Sequence, residues 1–320
     1  MARKKRSFGK LLALFVALVV VFLLVIALIW YLAAGRLNEP TPVPGPTPGP
    51  GQPQSQPASC PDVQVVAIPG TWESSSADDP HNPTFNPKSL IANVTRPLQQ
   101  QFPASRADVY TIPYVAQFSN PVALPPDGQA SYNVSRSEGA KRANDVVAGM
   151  HANCPLTNFV IVGFSQGAVI AGDLAAQIGA DKGPAPANQV LGVTLIADGR
   201  RDSDAKPIGP DPDGVGAEVA LKGVNLPGIT MTGPRGGFGA LGDRVNSICA
   251  PGDLICTAPK SAMNPLNIPG SLAALAGAYG NPVHSLYNSF AVEQDGTTAT
   301  QWTERWAADL IDKAPTPAHS

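Results

Sequence analysis

Apolar residues fall into three regimes along the chain. The first is a continuous run over 11–34, uncharged throughout and preceded by the basic cluster Arg3-Lys4-Lys5-Arg6. As a helix at 1.5 Å per residue, about 24 residues span roughly 36 Å, enough for a tilted crossing of a bilayer's hydrocarbon core. Cleavable signal peptides carry a shorter apolar region, about 7–15 residues, although the small residues of Leu32-Ala33-Ala34-Gly35 keep cleavage open. Trp30 and Tyr31 suit the far interface, and the charge asymmetry orients the span. Residues 1–10 are therefore expected in the cytoplasm, 11–34 as a transmembrane signal anchor, and everything beyond on the extracytoplasmic side. In the second regime, 35–59, Pro, Gly, Thr and Gln dominate. Such a segment cannot bury a core and reads as a semi-extended linker.

The third regime, 60–320, alternates short β-branched runs with longer mixed segments. Strands are expected over 63–68, 109–115, 159–163, 190–197 and 245–249, and helices over 90–101, 138–152, 168–178 and 303–312. The stretch 180–188 reads as a Pro- and Gly-containing loop. Strands that are apolar on both faces, alternating with helices, predict an α/β domain: a mostly parallel sheet between two helical layers. About 260 residues suit one large domain, and no internal repeat is visible.

The strand over 159–163 runs into Gly163-Phe164-Ser165-Gln166-Gly167, followed by the small apolar run from Ala168 to Gln177. G-x-S-x-G between a strand and a helix is a nucleophile elbow, in which the sharp turn lifts the hydroxyl to the top of the sheet. It also leaves the Gln166 N–H free at a helix start, where an oxyanion can bind. On such scaffolds the acid and then the histidine follow the serine in the chain. Of the four histidines, His81 and His151 precede Ser165, and His319 lies in a Pro-containing terminus expected to fray. His284 remains as the candidate base. Two carboxylates compete for the acid. Asp253 lies between Cys249 and Cys256, a loop that a bridge between them would pin; Asp198 ends the strand over 190–197. Asp253 is favoured, with Asp198 read as a turn residue paired to Arg200 or Arg201. Trp72 and Glu73 read equally well as site-lining or as packing residues.

Composition narrows the classes. Charged residues are 14% of the chain and net charge is −2, with no basic patch beyond the first six residues, so nucleic acid is not expected as a partner. The four cysteines lack zinc-ligand spacing with histidine and the histidines are scattered, so neither a metal nor a cofactor is expected. Four cysteines allow three pairings; all can be bridged in an oxidising compartment.

Three features together resemble the cutinase family: the elbow with Gln166 after the nucleophile, the Cys249-x-x-Gly252-Asp253-x-x-Cys256 loop, and His284. A fourth is Ile68-Pro69-Gly70-Thr71-Trp72-Glu73 after the first strand, and the resemblance covers most of 60–312. It implies a cutinase-like α/β-hydrolase domain in which Thr71 joins Gln166 in the oxyanion hole. It also implies the pairings Cys60–Cys154 and Cys249–Cys256. The chain departs from compact cutinases at Pro69, where they carry Arg, and in the long Gly- and Pro-rich stretch 198–245. It departs again at 257–283, where Met263, Leu266, Ile268, Leu272, Leu275 and Tyr279 suggest a flap with an apolar underside. Together with the anchor, the pattern is similar to membrane-anchored cutinase-like proteins of mycobacteria and their relatives. That subgroup implies phospholipase A and thioesterase chemistry at a mycolic-acid envelope. The expected activity is hydrolysis of lipid esters or thioesters by a monomeric catalytic domain held to the membrane by its N-terminal helix. An acyltransferase and a non-catalytic envelope-binding module are the alternatives, and a peptidase is disfavoured.

Overall fold

A computed structural model describes residues 53–120, 123–258 and 282–320. The expected anchor over 11–34, the linker as far as residue 52 and nearly all of the 257–283 flap lie outside the described residues. The elements follow in the order β1 (Val63–Ile68), α1 (Ala92–Gln101), β2 (Ala107–Thr111), α2 (Tyr132–Asn153), β3 (Asn158–Phe164) and α3 (Gln166–Gly179). They continue with β4 (Val190–Ile196), β5 (Lys206–Pro207), β6 (Val245–Ile248) and α4 (Ala299–Lys313). The six strands form one sheet in the order β2-β1-β3-β4-β6-β5. Every pairing within it is parallel.

Alternation along the strands sorts the core into two layers. Val63, Val65 and Ala67 of β1, with Val160, Val162 and Phe164 of β3, pack with Val94 and Leu98 of α1 and Ala307 and Ile311 of α4. On the other face Val66, Ile68, Phe159 and Ile161 meet Ala143 and Val147 of α2 and Ile170 and Leu174 of α3. Central strands buried on both faces require this near-continuous apolar composition.

Several boundaries differ from those expected, each for a local reason. Helix α2 begins at Tyr132 rather than 138, because the Ser131 hydroxyl caps it by accepting from the Val134 N–H. Helix α4 begins at Ala299 rather than 303, initiated by a capping box between Thr298 and Gln301. Strand β5 is two exposed residues on the sheet edge and carries no apolar signature. The C-terminus does not fray: Ala318–His319 pairs in parallel with Ser55–Gln56, and His319 Nε2 lies 3.0 Å from Asp62 Oδ1. Residues 55 and 56, assigned by composition to the linker, therefore belong to the folded part, and Gln56 is buried. Disulfides join Cys60 to Cys154 and Cys249 to Cys256.

The β3–α3 crossing is the tightest approach near the sheet top. A Cβ on Gly163 would lie 2.3 Å from the Gly167 carbonyl oxygen, and one on Gly167 only 2.1 Å from that of Ile68. Both obstructions are backbone and cannot rotate away. Gly167→Ala is expected to cost about 3 kcal/mol or more through overpacking against backbone, read as a large fall in Tm or loss of soluble protein; an unchanged Tm would contradict this packing.

Candidate active site

Ser165 connects β3 to α3 at φ 56°, ψ −121°, a backbone conformation few side chains adopt. Such a conformation costs of order 1–3 kcal/mol and persists only where its surroundings enforce it. The Ser165 N–H donates to Ile196 O of β4 at 2.9 Å, and its carbonyl accepts from Ala168 and Val169, starting α3. The hydroxyl emerges at the carboxyl end of the sheet, facing His284 across 2.8 Å to Nε2.

His284 lies on the single helical turn Pro282–Ser285. Its Nδ1 is 2.9 Å from Asp253 Oδ2 and 3.1 Å from Oδ1. A carboxylate only accepts, so this contact places the imidazole proton on Nδ1 and leaves the Nε2 lone pair toward Ser165. Phe164, the residue before Ser165, stacks on the imidazole with centroids 5.2 Å apart.

Asp253 is 0% exposed. Its Oδ1 accepts from the Ile255 N–H at 3.0 Å and its Oδ2 from the Tyr287 hydroxyl at 2.7 Å. Tyr287 in turn accepts from the Ala250 N–H at 3.0 Å, and its oxygen lies 3.4 Å from Cys256 Sγ. Burial, and then the neighbouring Asp253 charge, push the Tyr287 phenol far above its ordinary value, so it remains a donor. The Asp253 carboxylate is thus fixed by a loop whose two ends are the Cys249–Cys256 bridge.

Asp198, the rival acid, is occupied elsewhere. It is 2% exposed and takes the Arg235 guanidinium in bidentate fashion, at 2.6 and 3.0 Å. The Arg200 backbone N–H also donates to it, at 2.9 Å. Its side-chain partner is therefore Arg235, not Arg200 or Arg201. Arg235 goes on to Asp173 Oδ1 at 2.8 Å and to Val169 O of α3 at 3.0 Å. These contacts tie the 198–245 stretch to the elbow helix.

Thr71 lies, half-buried, in the turn that follows β1. This turn packs directly on the start of α3, where the missing Gly167 side chain leaves room for the Ile68 and Pro69 carbonyls. Gln166 opens α3, whose leading N–H groups have no intrahelical acceptors. Glu73 closes the turn. Its carboxylate accepts from the Gly70 N–H at 3.1 Å and from the Leu90 N–H. Burial raises its pKa above the ordinary carboxylate value, while those donors pull it down. Glu73 is thus a packed turn-holder, whereas Trp72 is 41% exposed, with φ 63° and its indole N–H on Gln129 Oε1 at 2.6 Å. Tyr287, Tyr114 and the stacking role of Phe164 were not singled out by sequence. Only the position of Tyr287, three residues after His284, offered a hint.

The fold and this constellation define a protein class. The family model for cutinase matches residues 59–267, and the chain belongs to the cutinase family. A protein of Corynebacterium glutamicum named carboxylesterase Culp6 homolog is 49% identical over 264 residues, covering 80% of this chain and 83% of the relative. Among solved structures, the catalytic core of acetyl xylan esterase from Trichoderma reesei is similar at 20% identity and a TM-score of 0.48, over 80% of this chain and 100% of that one. A cutinase-like protein from Cryptococcus sp. is similar at 16% identity and a TM-score of 0.48, over 83% of this chain and 100% of that one.

The two buried aspartates separate by experiment. Asp253→Asn is expected to lower kcat by about 10⁴-fold by favouring the wrong imidazole tautomer. Asp198→Asn leaves Arg235 a weakened partner and is expected to cost chiefly stability, about 3 kcal/mol, with turnover per folded molecule little changed. Parallel activity assays and thermal melts check both; a greater loss of kcat in Asp198→Asn would reverse the assignment.

Proposed function

We propose that this protein is a serine carboxylic ester hydrolase in which Ser165 is the nucleophile, His284 the general base and acid, and Asp253 the orienting carboxylate. The observation that carries the reading is the continuous hydrogen-bonded path from Ser165 Oγ through both imidazole nitrogens to a fully buried carboxylate. The carboxylesterase name of the Corynebacterium relative supports it.

Mechanism follows from the geometry. His284 Nε2 takes the Ser165 proton as Oγ adds to the acyl carbonyl. The imidazolium that results is stabilised by the Asp253 carboxylate. Negative charge collects on the former carbonyl oxygen, toward the Gln166 N–H at the positive end of α3 and toward Thr71. Collapse expels the alcohol or thiol, which receives the proton from Nε2. Water, deprotonated by the same nitrogen, then attacks the acyl-enzyme and releases the acid. A single oxyanion donor is typically worth about 2.7–4 kcal/mol of barrier.

The substrate class we propose is lipid esters or thioesters, with phospholipid and envelope lipid ahead of polymeric ester. Support comes from the apolar sequence over 11–34, which would hold the domain beside a bilayer on its extracytoplasmic face, and from the two disulfides, which suit an oxidising compartment. The test is turnover of p-nitrophenyl esters from butyrate to palmitate by the detergent-solubilised full chain, with Ser165→Ala alongside. Release of free acid that falls at least about 10³-fold in Ser165→Ala is expected. Undiminished turnover in that variant would remove Ser165 from the chemistry, and acyl transfer to an added alcohol with no free acid would replace hydrolysis by transfer.

A further inference from the structure

The two groups aimed at the oxyanion belong to different elements: Thr71 to the turn after β1, and Gln166 to the start of α3. Preorganised donors work only if their separation is fixed before the substrate arrives. Between them stands Tyr114, three residues past the end of β2, with a side chain wholly buried. Its hydroxyl lies 2.7 Å from the Pro69 carbonyl oxygen, two residues before Thr71, and 3.2 Å from Oε1 of Gln166. Both are acceptors, so the single phenolic proton is shared between the turn and the elbow residue. We infer that the Tyr114 hydroxyl is a positioning group for the oxyanion site, bracing the Thr71 turn against Gln166; this rests on the esterase reading above.

Three further observations agree. The same Gln166 Oε1 also accepts from the buried Ser135 hydroxyl at 2.7 Å. The Tyr114 ring cannot drift: a Cβ on Gly139 of α2 would lie 2.9 Å from its Cδ2, so helix and ring already touch. The far end of the same turn is clamped by Glu73 through the Gly70 and Leu90 N–H groups. Thr71 therefore lies between two anchors, next to Trp72 in its left-handed conformation, and only the Tyr114 anchor reaches the nucleophile's neighbour. A phenylalanine would fill the same volume. The hydroxyl, desolvated by burial, contributes only through the bonds it makes.

Tyr114→Phe in the full-length protein tests this. Losing the brace is expected to lower kcat about tenfold with KM within about twofold, the pattern of an interaction expressed in the transition state. A trifluoromethyl ketone that adds to Ser165 and presents an oxyanion should lose affinity by the same factor as kcat/KM. Amide hydrogen exchange over 68–73 should quicken while the sheet strands stay protected. Ser135→Ala, which removes the second donor to Gln166 Oε1, should move all three readouts in the same direction, and it decides the matter if Tyr114→Phe does not fold. Unchanged kcat/KM, or a fall in kcat with ketone affinity and local exchange unaltered, overturns the brace. Failure of the esterase reading would appear differently, as parent turnover that survives Ser165→Ala; the exchange measurement would then still decide whether Tyr114 holds the turn.

Discussion

Helix α3 approaches the backbone of β1 and β3 so closely that no side-chain carbon fits at Gly163 or Gly167. That approach forces the residue between them into a left-handed turn, and most of the site's geometry follows from it. It lifts the Ser165 hydroxyl out of the sheet and points the first N–H groups of α3 toward the space above it. It also brings the turn after β1 against the same helix end. The strain at Ser165 is held by the packed layers on both sheet faces, where β-branched strands are buried almost completely. Sheet and elbow are one mechanical unit: the core over-determines a conformation that an isolated turn would abandon.

Two buried carboxylates show how surroundings assign roles. Asp253 accepts from a backbone N–H and a phenol and faces an imidazole, with no arginine or lysine bonded to it among the described residues. In the proposed mechanism this carboxylate is the group left to stabilise an imidazolium. Asp198 is neutralised by Arg235. It joins a network in which Asp173 meets Arg136, Arg200 and Arg235, and Arg136 also meets Glu218. Buried ion pairs of this kind add little net stability relative to apolar packing, although breaking one is costly. Here the network fixes the Gly- and Pro-rich 198–245 stretch to α2 and α3, beside a small apolar cluster that includes its Leu221, Ile229 and Met231.

The parallel sheet was legible because doubly buried strands must be apolar throughout, and the elbow because its glycines leave a fixed sequence trace. His284 was reached by elimination in a chain with four histidines, a route that a His-rich chain would have closed. Asp253 and Asp198 both lie just past strand ends. The cysteine-flanked loop favours Asp253, but the partner that occupies Asp198, Arg235, lies 37 residues beyond it in a stretch without periodicity. Helix starts were misplaced where a cap rather than an apolar rhythm sets the boundary, as at Ser131 and Thr298. Tyr114, Glu73 and Tyr287 were harder still. A buried tyrosine or glutamate has the same local pattern whether it fills space or holds a turn, and its role is set by partners brought close only by the fold.

The central claim is that Ser165 is made nucleophilic by the His284–Asp253 pair. The most direct measurement is intact-mass and peptide mapping after treatment with a p-nitrophenyl alkylphosphonate, comparing the parent with His284→Ala and Asp253→Asn. One phosphonyl group on Ser165 in the parent, formed far more slowly in both variants, is the expected result. A label on another residue, or labelling of Ser165 at the parent rate without His284, would contradict it.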